Sequence, residues 1–185
     1  MRSAIAIIRG EHRGFATALH ALQRYLKPVL EHRFRPNQEL FATVLSYVDT
    51  FMDRFHHPKE DEHLFRALRG RTDRADGVLL ELQHDHAIGP AMLREIHEAL
   101  ARTRGGSEAE VETFAQLLQR YVSVQEAHMR KEEGVVMAIA RETLTDTDWE
   151  TIDAAFRDHR DPLFGTGPDG RMGYLFRQAR ENIPT

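Results

Sequence analysis

Phe55-His56-His57-Pro58-Lys59-Glu60-Asp61-Glu62-His63 is the stretch on which the reading of this chain turns. On a helix, His56 and Glu60 are four residues apart and stack on one face, one turn from each other. Seventy-two residues later the arrangement returns in Ala127-His128-Met129-Arg130-Lys131-Glu132-Glu133. His128 and Glu132 again stand at i and i+4, and Lys59-Glu60-Asp61 matches Lys131-Glu132-Glu133. A histidine and a carboxylate presented twice at one spacing is what two bound transition-metal ions require.

Both pairs sit inside apolar seams at alternating three- and four-residue steps. Residues 3 to about 30 read as a first helix with Ile5, Ile8, His12, Phe15, Leu19, Leu22 and Leu26 inward. Pro28 and Arg35-Pro36-Asn37 end it. A second helix from about 37 to 69 turns Phe41, Leu45, Val48, Met52, His56, Glu60 and Leu64 inward, with a bend expected at Pro58. A third, from Asp73–Gly77 to about Arg104, carries Leu79, Leu82, His86, Leu93, Ile96 and Leu100, with a second kink expected at Gly89-Pro90. Ser107 and Glu110 form a capping box opening a fourth helix. Its seam is Val111, Phe114, Leu118, Tyr121, His128, Glu132, Val135 and Ile139. A short fifth helix, capped by Thr145 or Asp146, runs through Phe156 with Trp149 on its apolar side, and an amphipathic segment follows from about 170 to 181.

Four long helices with short connections and no alternating segment specify an all-α, up-down-up-down four-helix bundle with short C-terminal helices. At 185 residues the chain reads as a single domain, 1–185, with the bundle over about 3–144 and a helical extension over about 145–185.

Composition narrows the function. Charged residues at 29% and a net charge of -4, with dispersed basic residues, give no nucleic-acid or membrane-surface footprint. No apolar run approaches a membrane span, and the N-terminus lacks a signal-peptide core. The absence of cysteine excludes disulfides and thiolate metal sites and fits a cytoplasmic location. Eleven histidines are the unusual feature.

Four of those histidines, His12, His56, His86 and His128, fall on inward stripes, one per long helix, and Glu60 and Glu132 share the stripes. An unpaired buried carboxylate costs several kcal/mol and an unpaired buried ring a few more. Two cations would compensate all six groups together. The intervals from His12 to His56 and from His86 to His128 are 44 and 42 residues, so the halves look like a duplicated helix pair, down to Glu11-His12 against Asp85-His86. The ligand set alone would also accept manganese or zinc. His57 and His84, beside the ligands but off the stripe, and His159 in the tail are candidates for an additional ligand. His20, His32, His63 and His97 read as solvent-facing, and Tyr121 as a packed core residue.

The set Glu-His-Arg-Gly-Phe, His-His-Pro-Lys-Glu-Asp-Glu, Asp-His and His-Met-Arg-Lys-Glu-Glu resembles the bacterial hemerythrin-like (HHE cation-binding) family over about residues 5 to 140. Its H…HxxxE…H…HxxxE signature is met by His12, His56, Glu60, His86, His128 and Glu132. The resemblance implies two iron ions in an oxo- or hydroxo-bridged diiron centre that meets O2, NO or peroxide, with a redox partner unspecified. Respiratory hemerythrins use an extra histidine four residues from the third-helix ligand, where this chain has Pro90.

Three functional readings follow. The chain binds or senses O2, NO or peroxide in oxidative or nitrosative stress responses or iron handling. Alternatively it is a diiron enzyme for peroxide breakdown, NO reduction or iron-centre repair, although repair members often carry a cysteine-containing N-terminal segment. The third reading is a metal-free helical interaction module. A nitrogen-rich ligand set should favour the reduced diferrous state, which argues for ligand binding over strongly oxidising catalysis.

Overall fold

A computed structural model describes residues 3–32 and 34–157. The amphipathic segment expected at about 170–181 and His159 lie outside the described residues. Helix α1 spans Ser3–Leu30. Helix α2 runs over 38–69 and opens at Asn37, whose side chain accepts from the Leu40 N–H at 3.1 Å. Helix α3 spans Asp76–Arg102 and continues through Pro90, so Gly89-Pro90 does not break it. Helix α4 runs over 108–143 behind the Ser107/Glu110 capping box that the sequence predicts. Helix α5 spans Asp146–Arg157. Of the two caps open in the sequence, Thr145 does the work: its hydroxyl accepts from the Asp148 N–H and Asp148 accepts from the Thr145 N–H.

The four long helices pack in a ring, α1 on α2 and α4, α3 on α2 and α4, as an all-α bundle. Among the described residues no helix is long and apolar enough to cross a membrane. The α3–α4 turn demands glycine twice. Gly105 has φ +72°, and a Cβ at Gly106 would collide with the Arg102 carbonyl.

Two apolar clusters hold the bundle. One contains Phe15, Leu19, Met52, Phe114, Tyr121 and Leu93, the other Ile8, Leu64, Leu82, Val136 and Trp149. Each such side chain, fully buried, contributes about 1.5–3 kcal/mol. Every long helix crosses from one cluster to the other, and the predicted ligands lie in the crossing: His12 between Ile8 and Phe15, His56 and Glu60 between Met52 and Leu64, His86 between Leu82 and Leu93, His128 and Glu132 between Val122 and Val136. A polar layer thus divides an otherwise apolar interior.

The helices carrying the repeated pair depart from α-helical geometry beside it. Helix α2 is π-helical over Val48–His56 and Glu60–Phe65, and α4 over Glu132–Val136. A π-turn bonds i to i−5, inserting one residue per turn, and is most often found at functional sites. The His57 N–H bonds the Met52 carbonyl in this way. Pro58, which lacks an N–H and would crowd the carbonyl four residues back, sits in the short α-helical link His57–Lys59 between the two π segments.

The wider turn shifts which residues face inward. Val135, expected in the seam, is 45% exposed, and Val136 is fully buried instead. His57, expected off the stripe, is buried beside His56.

Candidate metal centre

The structure brings the six predicted residues into one layer, and His57 joins them. Ligand-bearing atoms of His12, His56, Glu60 and Glu132 all lie within 4.8 Å of one another, as do those of His57, Glu60, His86 and His128. Glu60 belongs to both groups. Its Oε1 is 2.8 Å from His56 Nε2, and its Oε2 is 3.6 Å from His86 Nε2. Glu132 Oε2 also spans the layer, 3.2 Å from His12 Nε2 and 3.9 Å from His128 Nε2. The remaining predicted extra-ligand candidate among the described residues, His84, is exposed and in neither group. His20 and His32 face solvent as expected, while His63 and His97 are half-buried.

All four predicted histidines have one orientation. Nδ1 meets a carboxylate: His12 with Glu133 at 2.9 Å, His56 with Glu11 at 2.7 Å, His86 with Asp61 at 3.0 Å and His128 with Asp85 at 3.4 Å. A neutral imidazole donates from one nitrogen and accepts on the other, so a proton on Nδ1 leaves the Nε2 lone pair facing the layer. There the nitrogens meet head-on in two pairs, His12 Nε2 to His56 Nε2 and His86 Nε2 to His128 Nε2, each at 3.2 Å. While both rings of a pair are neutral in this tautomer, their two lone pairs cannot bond each other. Both oxygens of Glu60 and of Glu132 are likewise buried, and the nearest polar partners they have are histidine nitrogens of the same layer. This is a set of electron-pair donors gathered in one buried layer, whose charge only bound protons or a cation can balance, which is the chemistry of a cation site.

The ionisation of the layer reflects that crowding. Burial lowers the His56 pKa, but the Glu60 charge and hydrogen bonds to Glu11 and Glu60 outweigh it and bring the group up to about 9. His12 is likewise opposed by burial yet raised well above its usual value by Glu132, Glu133 and Glu60. His57 goes the other way, held well below by burial and by the neighbouring His86. Its ring lies flat on His86, centroids 4.2 Å apart and 14° from parallel, and its Nδ1 is 3.1 Å from Asp53 without forming a well-aligned hydrogen bond. Burial and the nearby Asp49 push the Asp53 carboxyl up to about 7.

Aromatic rings wall the layer. Phe65 stacks on His86 at 5.7 Å, and Phe156 of α5 stands edge-on to His56 at 6.5 Å. Asp153 fixes α5 to the start of α1, accepting from the Ala4 N–H at 2.6 Å and the Ser3 N–H at 3.3 Å.

Periodicity and spacing do not assign Glu11, Asp61, Asp85 and Glu133. Their signal was present, since each is the immediate chain neighbour of a predicted ligand. The pairing itself was not, because each carboxylate serves a histidine on another helix.

No curated protein and no solved structure gives a significant match to the chain. A family model does: the hemerythrin HHE cation binding domain matches residues 3–140, the span that supplies every residue of the polar layer except Phe156 of its wall. The chain belongs to the hemerythrin HHE cation-binding family.

Proposed function

We propose that this chain is a non-haem diiron protein that binds or senses O2, NO or peroxide, in oxidative or nitrosative stress responses or iron handling. The observation that carries the reading is the pair of head-on Nε2 contacts at 3.2 Å, each nitrogen turned inward by a carboxylate on its Nδ1. One ion would be held by His12, His56, Glu60 and Glu132, the other by His57, His86 and His128 with Glu60 shared. Glu60 and Glu132 are the candidate bridges. Iron supplies reversible electron transfer to a small oxygen or nitrogen ligand when bound there.

The rest of the chemistry belongs to the protein. Glu11, Glu133, Asp61 and Asp85 fix the imidazole tautomers and raise their basicity. The apolar clusters above and below the layer, with Phe65 and Phe156 at its sides, keep bulk water out and favour a small, weakly hydrated ligand. His57 supplies from α2 the third nitrogen that Pro90 denies to α3, so the two ions have unequal surroundings: two imidazoles against three.

Anaerobic loading with ferrous iron, metal analysis and an optical spectrum after air exposure test the reading. Two irons per chain and the charge-transfer band of a bridged diferric pair are expected. A colourless, iron-free product sinks it. Reversible spectral change with O2, set against turnover of peroxide or NO, then separates a binding protein from an enzyme.

A further inference from the structure

The four carboxylates that turn the imidazoles inward are not equally sheltered. The Glu11 and Asp85 side chains are 8% and 18% exposed, whereas Asp61 and Glu133 are 30% and 36% exposed. Water competes for a carboxylate at that exposure, and one contact to it fixes little. The two open corners need a second hold, on the oxygen that the histidine leaves free.

At Glu133 that hold is loose. Arg9 Nε stands 3.6 Å from Glu133 Oε2 and makes no hydrogen bond. At Asp61 it is built. Asp61 Oδ2 accepts from His86 Nδ1 at 3.0 Å, and Asp61 Oδ1 accepts from the Gln83 side-chain amide at 2.9 Å. The Gln83 oxygen in turn accepts from Arg69 Nη2 at 2.5 Å.

The chemistry of these groups fixes the direction of the bonds. A guanidinium has only protons to give and a carboxylate only lone pairs. The amide between them has one workable orientation, oxygen toward Arg69 and NH2 toward Asp61. Asp61, held by a donor on its other oxygen, presents a lone pair to His86. The His86 proton then stays on Nδ1, and the Nε2 lone pair faces the layer. Gln83 lies three residues before His86 on α3, while Asp61 and Arg69 are two turns apart on α2. Phe65, midway between those two, stacks on the same imidazole at 5.7 Å.

We propose that Gln83, oriented by Arg69, is a positioning residue for His86: it holds Asp61 on Nδ1 and so keeps Nε2 turned toward the second ion position. The tautomer requires no metal; its consequence for an ion rests on the diiron reading above.

Two measurements on the full chain test this. In the metal-free protein, nitrogen NMR shifts of the rings show which nitrogen carries the proton, at a pH where the rings are neutral. His86 is expected as the Nδ1–H form in the wild-type chain and as a mixture in Gln83→Leu and Gln83→Glu. His56, on the better-sheltered Glu11, should be unchanged in both and serves as the control. Gln83→Glu keeps the shape and can still meet Arg69 but loses the amide protons, so lost packing does not explain a result shared by both variants. An unaltered His86 in the two variants overturns the proposal, as does a wild-type His86 protonated on Nε2. The second measurement is anaerobic titration with ferrous iron. Half-saturation of one ion is expected to rise about tenfold in each variant with the other ion unchanged. Equal weakening of both ions, or of neither, overturns the link from Gln83 to the ion. A wild-type chain that takes up no iron removes the diiron reading and leaves the tautomer measurement to decide.

Discussion

Glu11 holds the Nδ1 of His56 at 2.7 Å, although its neighbour in the chain is His12. The same displacement recurs at every corner of the layer. Asp85, next to His86, serves His128; Asp61, next to Glu60, serves His86; Glu133, next to Glu132, serves His12. Each half of the duplicated bundle keeps one carboxylate for itself and gives one to the other half. Removing Glu11 should therefore be felt by the metal through His56. Glu11→Ala is expected to weaken metal binding about 10–100-fold while leaving helicity unchanged. Competitive titration against a chelator measures the first and circular dichroism the second; an unaltered affinity would separate Glu11 from the site.

The ligand stripe makes a sharper comparison. His56→Ala and Glu60→Ala should each lower metal affinity by more than about a hundredfold, because each would remove a proposed ligand and not a support. His63→Ala, two turns beyond His56 on α2 and in neither ligand group, should leave metal content intact. Equal loss in all three would refute the stripe.

His57 would distinguish the two ions of the proposed centre. If it completes the second set, His57→Ala should bring the chain from two bound ions toward one, with the His12/His56 ion retained. Metal counted per chain after dialysis decides this. Retention of both ions would make His57 a packing residue, stacked on His86 and nothing more.

Metal uptake should follow pH in a defined direction. Below about 9 the His56 of the metal-free protein carries a proton, which must leave before its Nε2 can bind an ion. Apparent affinity is thus expected to rise up to about pH 9, roughly tenfold per unit for each proton displaced. Stability of the metal-free chain runs the opposite way. A raised histidine pKa stabilises the fold below the ordinary value of 6.5, and that contribution is lost as pH climbs to about 9. The gap between the melting temperatures of loaded and metal-free protein should widen across this window. A gap that narrows with pH would contradict the ionisation described for the layer.

The π-turn on α4 can be tested through packing. Val136→Ala should cost about 2 kcal/mol by emptying a fully buried site, whereas Val135→Ala should stay within about 0.5 kcal/mol. Denaturant unfolding of the two variants measures this; the reverse ranking would restore the α-helical register.

That pair of valines also marks how far the sequence could be read. The five described helices, the Ser107/Glu110 cap and the inward placement of His12, His56, Glu60, His86, His128 and Glu132 follow from three- and four-residue periodicity, because burial imposes that period on every straight α-helix. Periodicity fails where the helix widens. His57 and Val136 both enter the interior through an extra residue per turn, and nothing in a 3.6-residue pattern announces where a π-turn begins. Pro58 and Pro90 are informative only in part, since a proline signals a lost hydrogen bond but not how the backbone absorbs it. The outer carboxylates were hidden for a different reason. Their partners are set by how helices face one another, and adjacency along the chain points to the wrong histidine.

Helix α5 has a consequence for the order of events during synthesis. Phe156 closes one side of the layer against His56, and Asp153 ties the same helix to the first turn of α1. The four ligand-bearing helices have all left the ribosome before that wall arrives. A nascent chain ending near residue 144 would lack the Phe156 ring beside His56 and the Asp153 tie to the first turn of α1. An ion that reached the layer before α5 docked would meet His56 without the Phe156 ring beside it, and the contacts of Asp153 with Ser3 and Ala4 are what hold that ring in place.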